Sequence, residues 1–326
     1  MDLDATRVFA LGDSLEFGAA VTSSLGVELA AVEEHLHEDG EHKLRPLVTV
    51  RGCDVYVILS LAGSATLSVH DKLCRLLFFA ATLRDAGAAR VTLVMPYLCY
   101  ARKDSRVRAD DPVTTRYLAQ LVEAMGVGRV VTIDVHNVAA FENAFRCETV
   151  HLEARLPLAR AALAHAGDLP LAVASPDIGG VKRAEHFRIA LEQLSGREAV
   201  PVFMEKHRIE DAVSGDALVG PVRGRAVVIV DDMMVSGTTL RRAVDACRAR
   251  GAARIIAAVT HGVFATGAEQ LLGHEGLDRL LLTNSVAPRM RDLWGGRVQV
   301  VAVESLVADA LGALHDGRSV SALLEL

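Results

Sequence analysis

The chain has 326 residues, 51% of them apolar and 23% charged, so it can bury a sizeable core and is not compositionally disordered. A formal net charge of −6 and 4% aromatic residues leave no overall pull toward nucleic acid or an anionic membrane. Cys53, Cys74, Cys99, Cys147 and Cys247 form no CxxC pair, which argues against a disulfide or zinc framework and for reduced, structural thiols.

The opening MDLDATRVFALGDSLEFG carries acids where a secretory signal needs a basic start. No apolar run reaches the roughly 18 residues of a membrane span. The expectation is a cytoplasmic protein. Short β-branched runs predict strands over 7–11, 54–60, 91–96 and 129–135, with helices over 68–86 and 112–125. After a joint near 148–156 the pattern resumes. Helices are expected over 156–166, 182–187, 189–194, 238–250, 265–272 and 303–314. Strands are expected over 171–174, 226–230, 254–259, 279–283 and 298–301. Near-continuous apolar strands alternating with helices predict an α/β fold with parallel sheets covered on both faces. DVYVILS followed by LRDAGAARVTLVMPYLCY is echoed by RAVVIVDD followed by CRARGAARIIAAVTHGVF. Both read strand, loop, helix, GAAR, strand. The echo predicts two similar α/β domains, residues 1–150 and 151–326.

The chemistry concentrates in VVIVDDMMVSGTTL, residues 227–240, where two carboxylates end a buried strand and a Ser-Gly-Thr-Thr turn opens a helix. Ligands of a parallel α/β sheet sit outside the carboxyl ends of its strands. Adjacent buried carboxylates repel, which raises at least one pKa, and a sugar diol or a metal ion relieves them. Free amides and hydroxyls at a helix start make an anion site. Asp231 and Asp232 with Ser236, Gly237, Thr238 and Thr239 therefore fit a phosphorylated sugar. The alternative is an ordinary helix cap by Ser236 or Thr238, with the aspartates on a solvated strand end. Asp134 and His136, two apart, would share one side of a strand. Gly179 and Gly180 would let backbone approach a ligand closely. There is no GxxxxGK[ST] loop, so a nucleotide is not held by a Walker A motif.

Residues 227–240 also resemble the phosphoribosyl-pyrophosphate motif shared by type I phosphoribosyltransferases and ribose-phosphate pyrophosphokinases. MPYLCYARKDSR (95–106), VVTIDVH (130–136), ASPDIGGVKRA (174–184), EKHR (205–208), THGVF and LLTNS follow in the order of the pyrophosphokinases. The chain thus resembles that family over nearly its whole length, and a phosphoribosyltransferase would leave its first half unexplained. The resemblance implies two type I phosphoribosyltransferase-like domains, the first on the ATP side and the second on the ribose 5-phosphate side. It implies transfer of pyrophosphate from Mg-ATP to ribose 5-phosphate. Asp39, Glu41, Arg102, Lys103 and Asp104 would meet ATP. Asp231, Asp232, Ser236, Gly237, Thr238 and Thr239 would bind ribose 5-phosphate. His136 and Asp177 would serve Mg2+, and Lys206 and Arg208 would be the catalytic cations of a mobile lid. It implies small-molecule substrates, no nucleic acid, no membrane, and a homo-oligomer, dimer or hexamer. His37 stands where the family usually has Phe, Lys103 where Gln is commoner, Val235 where a third Asp is common, and Thr238 for a second Gly. These departures keep two alternatives open: a regulatory homologue without turnover, and a pyrophosphokinase of another sugar phosphate or nucleotide donor.

Overall fold

A computed structural model of the chain describes residues 5–209 and 212–323, the stretch 205–217 by its backbone alone. The chain builds two α/β units. The first takes the chain as far as Glu153, with Ser285–Ala287 and the segment from Glu304 onward. Its elements up to Glu153 are β1 (Thr6–Ala10), α1 (Leu15–Leu25), β2 (Val32–Leu36), β3 (His42–Pro46), β4 (Asp54–Ile58), α2 (Val69–Asp85), β5 (Arg90–Met95), α3 (Thr114–Ala124), β6 (Arg129–Ile133), α4 (Val138–Ala144) and β7 (Glu148–Leu152). Five parallel strands form a sheet in the order β1-β4-β5-β6-β7. All five residues of β6 are buried, as a strand covered on both faces requires. β2 and β3 make a separate antiparallel hairpin. α2 starts where Ser68 sits in a capping box. Its hydroxyl accepts from the Asp71 amide at 3.2 Å, and the Asp71 carboxylate accepts from the Ser68 amide at 2.8 Å.

The second unit comprises Ala154–Asn284 and Pro288–Val303. It holds α5 (Arg155–Ala166), β8 (Leu171–Ser175), α6 (Val181–Ser195), β9 (Ala199–Ile209), β10 (Ala212–Val219), β11 (Ala226–Met234), α7 (Thr238–Ala249), β12 (Arg254–Gly262), α8 (Glu269–Leu272), β13 (Arg279–Thr283) and β14 (Val298–Val301). The sheet order is β10-β9-β8-β11-β12-β13-β14, parallel except for the antiparallel β10. Val227 and Ile229 of β11 share a core with Leu240, Ala243, Val244 and Cys247 of α7 and with Ile255, Ala257 and Val259 of β12. Val228 and Val230, of opposite parity, are also buried, so both faces of this strand are covered.

The last helix, α9 (Glu304–His315), belongs to the first unit. It packs on α1 and buries Val307, Ala308, Leu311 and Leu314. The division expected at 150/151 therefore does not describe the whole chain, which returns to its first unit after completing the second. The apolar stripe of α9 is satisfied by α1, a choice that its place in the sequence does not reveal.

Topology positions the site. From β8 the chain passes through α6 to β9 on one side, whereas β11 lies on the other. The order reverses between β8 and β11, and such a switch point opens a crevice at the carboxyl ends of the strands. β11 is longer than the expected 226–230. It pairs with β12 as far as Met234↔Gly262, but with β8 only as far as Ile229↔Ala174. Beyond Ile229 its β8 side is open, and Asp231 and Asp232 follow.

Candidate active site

In the second unit the acidic pair meets a cation. Asp232 is buried, at 2% exposure, and Asp231 is half-buried. Arg183, in the first turn of α6, reaches both: its Nη1 lies 3.3 Å from Asp232 Oδ1 and 3.7 Å from Asp231 Oδ1. Asp231 Oδ1 also accepts the amide of Asp232 at 2.9 Å. Burial, then the neighbouring Asp232, pushes the Asp231 carboxyl well above the usual carboxylate range, while Arg183 pulls it down. Arg183 and Ser175 were not singled out from sequence. The signal for Arg183 was present: a cation in a helix's first turn opposes the helix dipole and calls for an acidic partner.

The β8–α6 loop completes this end of the sheet. Ser175 Oγ donates to the Asp177 carbonyl at 2.6 Å, and Asp177 Oδ1 accepts the Gly180 amide at 2.9 Å. A Cβ on Gly180 would stand 2.7 Å from Ser175 Oγ, closer than any side chain tolerates. On the other side of the pair, β11 runs into the Ser236–Thr239 turn. Gly237, at φ +74°, is the N-cap of α7 and supplies no side-chain cap. A Cβ there would also crowd Leu271 Cβ at 3.0 Å. The alternative, a cap by Ser236 or Thr238, is therefore not made. Their hydroxyls lie 3.1 Å from each other instead, at a helix start whose first-turn amides have no intrahelical acceptors. Val235, at the position of the family's third Asp, holds its carbonyl against the Ala265 amide at 2.9 Å.

The first unit carries the other expected residues in two places. Asp39 and Glu41 lie exposed at the tip of the β2–β3 hairpin, where Asp39 Oδ1 accepts the Glu41 amide at 3.0 Å and Glu41 O accepts the His37 amide at 2.7 Å. His37 packs edge-on to His35, ring centres 4.5 Å apart. Arg102 is exposed in the loop after β5. Lys103 is tied down: its ammonium lies 2.6 Å from Asp111 Oδ2, which also accepts the amides of Val107 and Arg108. Asp104 accepts from Asn137 Nδ2 at 2.6 Å, and Asn137 caps α4. This brings Asp104 beside the segment that carries His136. Among the described residues, no hydrogen bond or ion pair joins Asp39 or Glu41 to Arg102, Lys103 or Asp104. β6 ends at Ile133, and Asp134 has φ +39°, so Asp134 and His136 lie past the strand and its two-residue alternation does not apply to them. His136 is exposed.

Lys206 and Arg208 lie on β9, in register with Asp216 and Val213 of β10. Their side chains fall outside the described residues. Among the described residues no three His, Cys, Asp or Glu side chains cluster as a metal cage. A carboxylate such as Asp177 suits Mg2+, which takes oxygen ligands, keeps its waters, and commonly enters with nucleotide phosphates.

Residues 6–126 match the N-terminal domain of ribose phosphate pyrophosphokinase, and residues 183–325 match the phosphoribosyl synthetase-associated domain. A ribose-phosphate pyrophosphokinase of Listeria ivanovii is 31% identical over 322 residues, covering 98% of this chain and 97% of that protein. One of Vibrio parahaemolyticus is 32% identical over 319 residues, covering 97% and 98%. The crystal structure of phosphoribosylpyrophosphate synthetase from Mycobacterium smegmatis superposes with a TM-score of 0.86 at 29% identity, covering 96% of this chain and 99% of that one.

Proposed function

The chain belongs to the ribose-phosphate pyrophosphokinase family, and from that premise we propose that it transfers pyrophosphate from Mg-ATP to the anomeric hydroxyl of ribose 5-phosphate, giving phosphoribosyl pyrophosphate and AMP. The observation that carries the reading is the acidic pair Asp231–Asp232 beside a glycine-led helix start, at the switch point of the second sheet. The carboxylates accept the sugar's vicinal hydroxyls. The 5-phosphate takes the amides and hydroxyls of Ser236, Gly237, Thr238 and Thr239.

The anomeric oxygen attacks the β-phosphorus in line. A bond from that oxygen to phosphorus forms as its O–H bond breaks and the proton passes to solvent; the bond from the β-phosphorus to the α,β-bridging oxygen breaks, and AMP leaves with that oxygen. Such a transfer asks for positioning and charge stabilisation rather than covalent help. Lys206 and Arg208 balance charge on the transferred group and on the leaving AMP oxygen. One such contact is worth on the order of 3 kcal/mol of barrier. Asp39, Glu41, Arg102, Lys103 and Asp104 bind ATP, with Arg102 the exposed cation and Lys103 acting through the loop it braces. Asp177 in the second unit and His136 in the first would each serve as a Mg2+ ligand, and bound Mg2+ would neutralise phosphate charge. Val235 leaves the phosphate turn its hydroxyls and amides. We read the protein as a cytoplasmic homo-oligomer, dimer or hexamer. No helix among the described residues is long and apolar enough to cross a membrane.

The test is phosphorus NMR of the purified protein with Mg-ATP and ribose 5-phosphate, beside a Lys206→Ala, Arg208→Ala control. Phosphoribosyl pyrophosphate and AMP should appear together and vanish in the control. ADP instead of AMP would mean a simple kinase. Binding of both ligands without turnover would make the chain a regulatory homologue.

A further inference from the structure

Two carboxylates side by side, one of them almost wholly buried, need a countercharge to stay fixed as acceptors. Arg183 reaches both, at 3.3 and 3.7 Å, from the first turn of a different element. Its own side chain is only 24% exposed, and its Nη1 would lie 3.8 Å from a Cβ on Gly180, so the side chain runs along the glycine step of the β8–α6 loop. A guanidinium is planar and permanently charged, and it can face two carboxylates from one position. Resting on the reading above, we propose that Arg183 is a positioning residue: it holds Asp231 and Asp232 oriented as acceptors for the vicinal hydroxyls of ribose 5-phosphate, and so sets the affinity for the sugar rather than the rate of transfer.

Among the charged groups acting on Asp231 are Asp232 on its own strand, Asp177 on the β8–α6 loop and Arg183 on α6. Two of the three are negative. Without Arg183, the cheapest relief is a proton on the pair or a turn of one carboxylate away from the other. Either removes an acceptor that a sugar hydroxyl needs, because a protonated carboxyl donates where the ionised one accepted. Arg183 faces the acidic pair, so the loss falls on sugar binding.

The experiment uses the full chain with Arg183→Gln and Arg183→Lys. KM values for ribose 5-phosphate and ATP are measured beside kcat, ribose 5-phosphate binding is titrated by calorimetry, and thermal midpoints check folding. Arg183→Gln should weaken ribose 5-phosphate about 10- to 100-fold, the scale of a lost charge-assisted contact. Its kcat and its KM for ATP should stay within about threefold of wild type. Arg183→Lys, which keeps the charge and gives up the fork, should recover most of the sugar affinity. Unchanged sugar affinity in Arg183→Gln overturns the proposal. So does a uniform loss of kcat and of both substrates' affinity that Lys does not rescue. If Arg183→Gln does not fold, the Lys variant decides alone: sugar affinity more than about 100-fold below wild type overturns the proposal, and recovery within about tenfold supports it. A wild type that binds ribose 5-phosphate yet forms no phosphoribosyl pyrophosphate sinks the pyrophosphokinase reading, while the calorimetric comparison still decides the role of Arg183.

Discussion

Lys72 holds its ammonium 2.7 Å from each carboxylate oxygen of Asp13, with a side chain only 1% exposed. The lysine arises from α2, and the aspartate lies just past β1. The ammonium also donates to the Ser60 carbonyl at 3.2 Å. A buried cation with a countercharge is tolerated, and one without it is not. Asp13→Asn should therefore destabilise the protein by about 3 kcal/mol, whereas the double change Lys72→Met, Asp13→Leu should be close to neutral. Urea midpoints of the two variants check this. A double variant as unstable as the single one would show that the pair matters for more than its charge balance.

A half-buried acid sits at the opposite end of the same sheet. Asp54 takes Arg90 at 2.9 and 2.5 Å and the Tyr56 hydroxyl at 2.9 Å. Burial by itself would raise its pKa, but the hydrogen bonds from Arg90 and Tyr56 outweigh it and hold the carboxyl below its ordinary value. A depressed acid contributes stability above its unfolded pKa of about 3.9, and that contribution is lost as pH falls through the lower folded value. Wild type should thus lose stability below about pH 4 more steeply than Asp54→Asn, which should already be weaker at pH 7. Denaturant midpoints at pH 7 and pH 3 test the sign. An equal acid loss in both proteins refutes it.

The β11–α7 stretch was legible because its signals agree. Five buried apolar residues, Ala226–Val230, fix a strand, and Gly237 fixes the turn. The β2–β3 and β9–β10 hairpins were not. Their polar runs, such as HLHEDGEHK, alternate without the apolar stripe that marks a strand; β2 and β3 pair only with each other, and β9 joins the core through its first half against β8. The placement of α9 on α1 is decided by which apolar stripe is still uncovered, which no window of sequence reports. Arg183 gains its meaning only when the fold brings β11 and its acidic pair to the first turn of α6. Asp134 and His136 were given strand alternation, but β6 ends at Ile133 and the backbone then turns through a positive φ.

Gly180 offers a sharper probe of the crevice than any charged residue. It has an ordinary φ of −87°, so a substitution there strains no backbone angle. What an added methyl meets is Ser175 Oγ, 2.7 Å away, in the loop that carries Asp177. Either the serine gives up its bond to the Asp177 carbonyl, or the first turn of α6 shifts and Arg183 with it. Gly180→Ala should lower kcat/KM at least about tenfold while costing about 1–2 kcal/mol of stability. Steady-state kinetics beside thermal unfolding check this. The double variant Gly180→Ala, Ser175→Ala, which removes the clashing oxygen, should regain part of the loss. No regain would show that the methyl acts elsewhere.

Asp231 should trade stability for binding. Its carboxyl is pushed well above the usual range by burial and by Asp232, so keeping it ionised at neutral pH works against the fold. A raised folded pKa means that its contribution is fully favourable below the unfolded value of about 3.9 and is lost as pH rises through the folded one. Asp231→Asn keeps an oxygen for the Asp232 amide, which now sits 2.9 Å from Asp231 Oδ1, and removes the charge. The variant should be more stable than wild type at pH 8 by about 1–2 kcal/mol, with the advantage shrinking toward pH 4. It should also bind ribose 5-phosphate at least about tenfold more weakly, because an ionised acceptor for a sugar hydroxyl is gone. Denaturant curves at pH 8 and pH 4 with a calorimetric titration measure both sides. A variant less stable than wild type at pH 8 would mean that Arg183 already neutralises the pair, and that the acidic site costs the fold nothing.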